Sequence, residues 1–407
     1  MTDPSNYAAR VLRRCDELAA FSEEEGRLTR RFATPALRQA GDAVREWMET
    51  AGMTVQRDAI GNLIGRVGDA GRRTLLIGSH LDTVRDAGRY DGMLGVLVAI
   101  ACLERLRDEG RSLSYAVEVV AFADEEGVRF GTGYLGSSVL AGCFDPADLE
   151  RRDCDGVTLA DAVRAFGGDP DELARAARDP ADLIGYYEVH IEQGPVLEAA
   201  GAPLGVVTAI AGQTGGRIVF TGEAGHAGTV PMALRRDALG AAAEFTIALE
   251  ALAREEEGVV ATVGSVEVEP GARNVIPGRA VLSLDVRHAS DPVRESVLSR
   301  LRDRAGAIAD SRGVGLEWQL GVGVGAVETS PALTELVARA LAASGHPVIR
   351  LASGAGHDAV MLSRIAPIAM LFVRCAGGVS HNPAESVTVQ DVAAAIEASG
   401  RFLELVG

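Results

Sequence analysis

The chain has 407 residues, 47% hydrophobic and 24% charged, with a formal net charge of -17. At roughly 150 residues per domain this predicts two or three domains, while the acidic balance and an aromatic content of 4% argue against nucleic-acid or anionic-membrane partners. There is no lysine, so all 40 basic residues are arginine, which excludes Schiff-base chemistry, lysine-anchored pyridoxal phosphate and a Walker P-loop.

Taken in chain order, the opening segment MTDPSNYAARVLRRCDELAAFSEEEG carries no apolar core of a secretory signal. Thr74–Ile77 reads as a short strand running into GSHLD, Gly92–Arg107 as an apolar helix, and Ala116–Phe122 as a strand rich in branched residues. The run Met93–Leu103 is too short to span a bilayer. Asp145–Leu183 is polar and predicts short helices, and Gly185–Ile191 predicts another strand. Such alternation predicts a doubly wound α/β sheet. The five cysteines (Cys15, Cys102, Cys143, Cys154, Cys375) are scattered and form no CxxC, which suits reduced thiols in a cytoplasmic protein.

From about residue 212 the pattern changes. Arg217–Thr221, Val259–Val268, Arg279–Arg287 and Gly315–Leu320 read as strands, with helices over Arg236–Arg254 and Pro292–Ile308. That order, β-α-β-β-α-β, predicts a ferredoxin-like sheet. The α/β pattern then returns with a helix Leu333–Ala343, a strand Pro367–Val373 and a helix Asp391–Leu405. The expected architecture is an α/β catalytic domain over residues 1–211 and 328–407, interrupted by an α+β domain over residues 212–327.

The seven histidines carry the chemistry. Alone, each is more often a satisfied structural histidine; jointly they say more. In GSHLDTVRDAGRYDG, His80 and Asp82 are two apart at a strand end and share a face. A carboxylate beside a metal-binding histidine fixes its tautomer. Asp91 follows at a loop-to-helix junction, where its bland reading is an N-cap. Glu125 and Glu126 are adjacent acids at the carboxyl end of a strand, where open α/β sheets place ligands, although an isolated acidic turn would be ordinary. His190 lies in the apolar strand YYEVHI, and His381 in the glycine-rich turn GGVSHNPAE. Histidines and acids without cysteine make a mixed nitrogen–oxygen set suited to zinc, manganese or cobalt.

The segments GSHLDTV, YDGMLGV, DEEGVRFG, EVHIEQGPVLE, GHAGTVPM, ARNVIPG, LDVRH, SGAGHDA and GVSHNPAE resemble, in order, the di-metal ureido amidohydrolases. That branch holds allantoate and ureidoglycolate amidohydrolases, N-carbamoyl-L-amino acid hydrolases and β-ureidopropionases, and is related to aminoacylases and di-zinc carboxypeptidases. The resemblance implies a di-metal exopeptidase-like catalytic domain whose insert is a lid and dimerisation domain. It implies two divalent ions per subunit, zinc or manganese, with cobalt or nickel as further options. One would be held by His80, Asp91 and His190, the other by Asp91, Glu126 and His381, with Asp91 bridging. Glu125 would be the general base and Asp82 the partner of His80. The related peptidases usually carry an acid where His190 stands.

The same resemblance makes Arg287 the grip on a substrate carboxylate, Gln193, Gln213 and Asn274 amides near the substrate, and Gly356 with His357 a substrate-facing turn. It makes His226 an oxyanion donor serving a neighbouring subunit, which implies a homodimer. His288 and His346 have no such context and read as surface or structural residues. The expected substrate is a small ureido carboxylate. GQTGG, SGAGHDAV and LFVRCAGGVSHNPAE resemble the allantoate and ureidoglycolate enzymes, whereas FGTGYLGS resembles some carbamoylases. Allantoate is therefore the first reading and N-carbamoyl-L-amino acids the second. Arg374 and Cys375 replace the Pro-Ser common in bacterial forms. A peptidase or aminoacylase, and a binding protein that has lost its metals, are the competing classes.

Overall fold

A computed structural model describes residues 4–407, and the chain divides into two units. One takes the described residues up to Thr208 with Thr329–Leu351 and Ala355–Gly407; the other takes Ala209–Glu328 and Ala352–Gly354.

The first unit is built on strands β1 (Thr54–Arg57), β2 (Leu63–Val67), β3 (Thr74–His80), β4 (Ala116–Phe122), β5 (Leu183–Ile191), β6 (Leu204–Ile210, whose last two residues are counted with the second unit) and the strand Ile368–Val373. Their order is β1-β2-β4-β3-β5, then Ile368–Val373, then β6. The central four, from β4 to Ile368–Val373, run parallel; β2 and β6 flank them antiparallel. β3 and β4 are buried at every position. Strands covered on both faces need continuous apolar runs rather than alternation, which is why TLLI and AVEVVAF show none. The helix Met93–Asp108 is buried over nearly its whole circumference and so belongs at the centre of the core. Its buried Glu104 is held by Arg10 and Arg14, both at 2.8 Å, from the helix Pro4–Ala19. Neither that helix, nor Pro35–Thr50, nor β1 and β2 were among the expected elements.

The second unit holds β7 (Gly212–Thr221), β8 (Gly225–His226), β9 (Val260–Thr262), β10 (Val266–Glu269), β11 (Val275–Ile276), β12 (Arg279–His288) and β13 (Gly315–Leu320). Its main sheet runs β10-β12-β7-β13 with β9 also on β12, every pairing antiparallel. With helices Ala238–Glu255 and Asp291–Arg312 this is the ferredoxin-like arrangement. Phe220, Phe245, Leu282 and Leu301 form its core. The single strand expected over Val259–Val268 is two strands. The N–H groups of Gly264 and Ser265 donate to Ser283 Oγ instead of to a neighbouring backbone, which breaks the ladder there.

Candidate metal centre

The parallel strands of the first unit end in the residues that matter. His80 closes β3, His190 lies one residue before the end of β5, and Glu125 and Glu126 follow β4. Asp91 precedes the helix Met93–Asp108, and His381 sits with φ 54° in the turn after Ile368–Val373. Edges where parallel strands end are where open α/β sheets bind ligands.

The two buried histidines are oriented by their own backbone. His80 Nδ1 lies 3.0 Å from the Asp82 carbonyl and His190 Nδ1 2.9 Å from the Ile191 carbonyl. Each Nδ1 therefore carries a hydrogen, which leaves Nε2 as the atom that can give up its proton to a metal ion. Both Nε2 atoms face Asp91 Oδ1, at 3.6 Å from His80 and 3.1 Å from His190. His381 Nε2 lies 3.1 Å from the other oxygen, Oδ2, and 3.6 Å from Glu126 Oε1. One carboxylate thus serves two groups, His80–Asp91–His190 and Asp91–Glu126–His381, and in each the ligand atoms lie within 4.8 Å of one another. His80, Glu125 and Glu126 form a third such group. Close approach is required around His80: a Cβ on Gly92, whose φ is 72°, would sit 2.5 Å from the imidazole ring.

The electrostatics suit bound cations. Burial opposes the charged form of Asp91, yet hydrogen bonds from His190, His381 and His80 hold it well below the usual carboxylate range. Burial likewise opposes the His80 and His190 cations, but Asp82 and Asp91 lift His80, and Asp91 lifts His190. His381 is raised by its bond to Asp91, against a smaller effect of burial. An ionised carboxylate with 2% exposure needs positive charge around it, since desolvation costs several kcal/mol per ion. Protonated imidazoles can supply that charge, and divalent ions on the same atoms would replace their protons. The donor set of imidazole and carboxylate without thiolate fits such ions. Burial pushes Glu126 up to about 7, offset by His80 and reinforced by Asp91 and Asp82. Glu125 is raised well above the carboxylate range by burial, offset by His80 and reinforced by Glu126, Asp358 and Asp82.

Asp82 does more than accompany His80. Its Oδ1 is 3.4 Å from His80 Nδ1 and accepts the Glu125 N–H at 2.9 Å, while Oδ2 accepts the Glu126 N–H at 3.2 Å. One carboxylate therefore ties the end of β3 to the two glutamates after β4. Behind this loop Arg30, fully buried, donates to the carbonyls of Leu81, Leu18 and Phe21. Arg30 and Thr83 also bond reciprocally through backbone and hydroxyl. Sequence reasoning missed Arg30, for nothing local marks it. It also missed a layer of buried acids beneath the centre. Glu188 accepts from Ser79 Oγ at 2.8 Å and from the Ala359 N–H at 3.2 Å. Burial first, and neighbouring carboxylates second, hold Asp358 well above the usual carboxylate range.

The residues assigned to substrate fall into separate groups. In the first unit Gln193, with φ 58°, donates from Nε2 to Asp91 Oδ2 and to Ser380 Oγ, both at 3.1 Å, so here its amide is committed to Asp91 and Ser380. His357 is buried edge-on to His190, ring centroids 4.5 Å apart. Burial, then the charge of His190, hold it well below the usual imidazole range. Gly356 lies against the Tyr134 hydroxyl. In the second unit β12 and β7 pair Arg287 with Gln213, and both side chains converge on Asp285. β8 and β11 bring His226 opposite Val275, and the Ala227 N–H bonds the Asn274 carbonyl, so His226 and Asn274 are neighbours and both are exposed. His226 Nδ1 accepts the Gly228 N–H at 3.0 Å, which leaves Nε2 to carry the proton. Arg374 is held by Asp391 at 2.8 Å and Cys375 is buried, so this departure from Pro-Ser adds no free side chain.

Comparison with known proteins identifies the family. Over 391 residues the chain is 43% identical to the N-carbamoyl-L-amino acid amidohydrolase of Geobacillus stearothermophilus, covering 95% of this chain and 96% of that one. It is 41% identical to the allantoate deiminase of Arabidopsis thaliana, covering 96% and 81%. Among solved structures, an amidase of the hydantoinase/carbamoylase family from Burkholderia multivorans superposes with a TM-score of 0.92 at 33% identity, covering 98% and 97%. Residues 76–405 match the model of Peptidase family M20/M25/M40. The chain belongs to that family, in company with its carbamoylase and allantoate-cleaving members.

Proposed function

We propose that this protein is a metal-dependent amidohydrolase that cleaves a ureido C–N bond of a small carboxylate, with allantoate as substrate and N-carbamoyl-L-amino acids as the second reading. The observation that carries the reaction class is Asp91, whose two oxygens each face a separate histidine-containing group, with Glu125 alongside. His190, where the related peptidases usually carry an acid, supports a ureido rather than a peptide substrate. Relatives named for each ureido substrate lie at similar identity. The choice of allantoate rests on GQTGG, SGAGHDAV and LFVRCAGGVSHNPAE.

Two divalent ions, when bound, supply the charge that polarises a ureido carbonyl and acidifies the attacking water. Glu125, buried and raised toward proton uptake, takes that water's proton and returns it to the leaving nitrogen. Asp82 keeps the Glu125 backbone in place. His226 donates from Nε2 to the developing oxyanion, a role worth roughly 3–4 kcal/mol per donor. Arg287 binds the substrate carboxylate, while Asn274, Gln213 and the turn at Gly356–His357 orient the rest. With allantoate and one water the products are ammonia, carbon dioxide and ureidoglycine. The same proposal includes a homodimer formed through the inserted domain, and a reducing, cytoplasmic setting supported by five unpaired cysteines.

The test is ammonia release from allantoate, ureidoglycolate, N-carbamoyl-L-amino acids and β-ureidopropionate, with bound metal measured in parallel. Preferential turnover of allantoate is expected. Preference for a carbamoyl-amino acid transfers the assignment to the second reading. A metal-loaded enzyme inert toward the whole panel overturns the ureido class.

A further inference from the structure

Glu385 ends the segment SHNPAE, has 4% exposure, and has no part in the reaction described above. A carboxylate that deep costs several kcal/mol in lost hydration unless its oxygens are satisfied, so what satisfies them is informative. Oε1 accepts two consecutive backbone N–H groups, from Tyr90 at 2.8 Å and from Asp91 itself at 3.1 Å. Oε2 accepts the Ser380 hydroxyl at 3.0 Å. Ser380 Oγ in turn accepts from Gln193 Nε2 at 3.1 Å and lies 3.4 Å from Asp91 Oδ2. Glu385 thus holds Asp91 twice, by the amide N–H of the residue and, through Ser380, beside its carboxylate.

The same side chain belongs to the turn that carries His381. The backbone N–H of Glu385 donates to the Asn382 carbonyl at 3.0 Å, and Ser380 and Asn382 flank His381. Two loops far apart in sequence, one after β3 and one after Ile368–Val373, are joined at this one carboxylate. Room for it is provided by Gly88, where a Cβ would lie 2.3 Å from Glu385 Cβ and 2.4 Å from Oε1.

We propose that Glu385 is the positioning residue of the bridging carboxylate, and that it acts chiefly on the ion held by Asp91, Glu126 and His381. This rests on the two-ion reading of the centre. Of that ion's three ligands, Asp91 and His381 lie on segments fastened by Glu385. The ion held by His80, Asp91 and His190 shares only Asp91 with them. Removing Glu385 therefore loosens the two sites unequally.

The experiment is calorimetric titration of the metal-depleted full chain with Zn²⁺, the bound ions being counted by elemental analysis. The wild-type chain is expected to take two ions. Glu385→Ala should weaken one of them about 10–100-fold, the usual effect of losing a group that supports a ligand, and leave the other nearly unchanged. Gly88→Ala should reproduce the asymmetry, since its Cβ displaces Glu385 without altering any charge. Glu385→Gln should recover most of the affinity, because its amide oxygen still accepts the Tyr90 and Asp91 N–H groups. Should Glu385→Ala fail to fold, Ser380→Ala cuts the hydroxyl link alone and should show the same inequality at smaller size. Folded variants that bind both ions as the wild type does, or that lose both equally, overturn the positioning role. A wild-type chain that binds no ion overturns the reading of the centre as well.

Discussion

Arg287 and Asp285 form a two-pronged ion pair, Nε to Oδ1 at 2.9 Å and Nη2 to Oδ2 at 3.1 Å, while Arg287 Nη1 donates to the Gly354 carbonyl at 2.8 Å. The side fork of the guanidinium is therefore filled by Asp285, and one proton on Nη1 and one on Nη2 remain beyond these bonds. A bidentate arginine–carboxylate contact is both strong and directional. Arg287→Ala should raise KM for the preferred substrate by one to two orders of magnitude, from roughly 1.5–3 kcal/mol for a hydrogen bond to a charged group. Metal content should be unaffected. A KM equal to that of the wild type sinks the assignment. Asp285→Asn should also raise KM by loosening the arginine; a lowered KM would mean that Asp285 competes with substrate instead.

Variants of Glu125 and Asp91 separate the proposed base from the proposed ligand. Glu125→Gln should retain both ions and lose about 10²–10⁴-fold in kcat, the span assigned to a positioned general base. Asp91→Ala should instead lose metal, because its two oxygens face both groups. Near wild-type kcat in metal-loaded Glu125→Gln removes Glu125 from the role.

Removing the metal tests the centre without mutation. Ions that bind only the folded chain stabilise it by about 2.7 kcal/mol at a free concentration 100-fold above Kd. Chelation should therefore lower Tm, and added Zn²⁺ or Mn²⁺ should restore it in a concentration-dependent way. An identical Tm with and without metal, over a wide range of ion concentration, contradicts the centre.

The histidines at strand ends were legible because a buried strand writes itself as an apolar run and a ligand at its end breaks that run. The ferredoxin-like order was legible for the same reason, through alternation and helical period. What stayed hidden is closed by contacts with no local signature. Tyr90 and Glu385 are 295 positions apart, and Arg30 reaches Leu81 across 51. The split of Asp91 between two groups was expected only from the resemblance, because no spacing records the directions of its oxygens. The N-terminal helix Pro4–Ala19 was overlooked because its charged residues obscure a buried face of Tyr7, Val11, Cys15 and Leu18. The break between β9 and β10 depends on Ser283, a residue on another strand.

His226 offers the sharpest test of the quaternary proposal. Its Nδ1 is occupied by the Gly228 N–H, so Nε2–H is the donor that this exposed ring carries on the two-stranded ladder shared with Val275–Ile276. An exposed donor suits an oxyanion that forms at another chain's site, and a two-fold dimer would exchange such donors reciprocally between subunits. In that arrangement a complete site needs Glu125 from one chain and His226 from the other. Glu125→Gln and His226→Ala homodimers should each be nearly inactive. Mixed and allowed to exchange subunits, they should form heterodimers in which one site carries both defects and the other carries neither. With random exchange half the dimers are mixed, each with one intact site of two, so recovered activity should approach one quarter of the wild type. Absence of recovery, with exchange verified by differently tagged chains and both variants shown to be folded and metal-loaded, means that each chain supplies its own oxyanion donor.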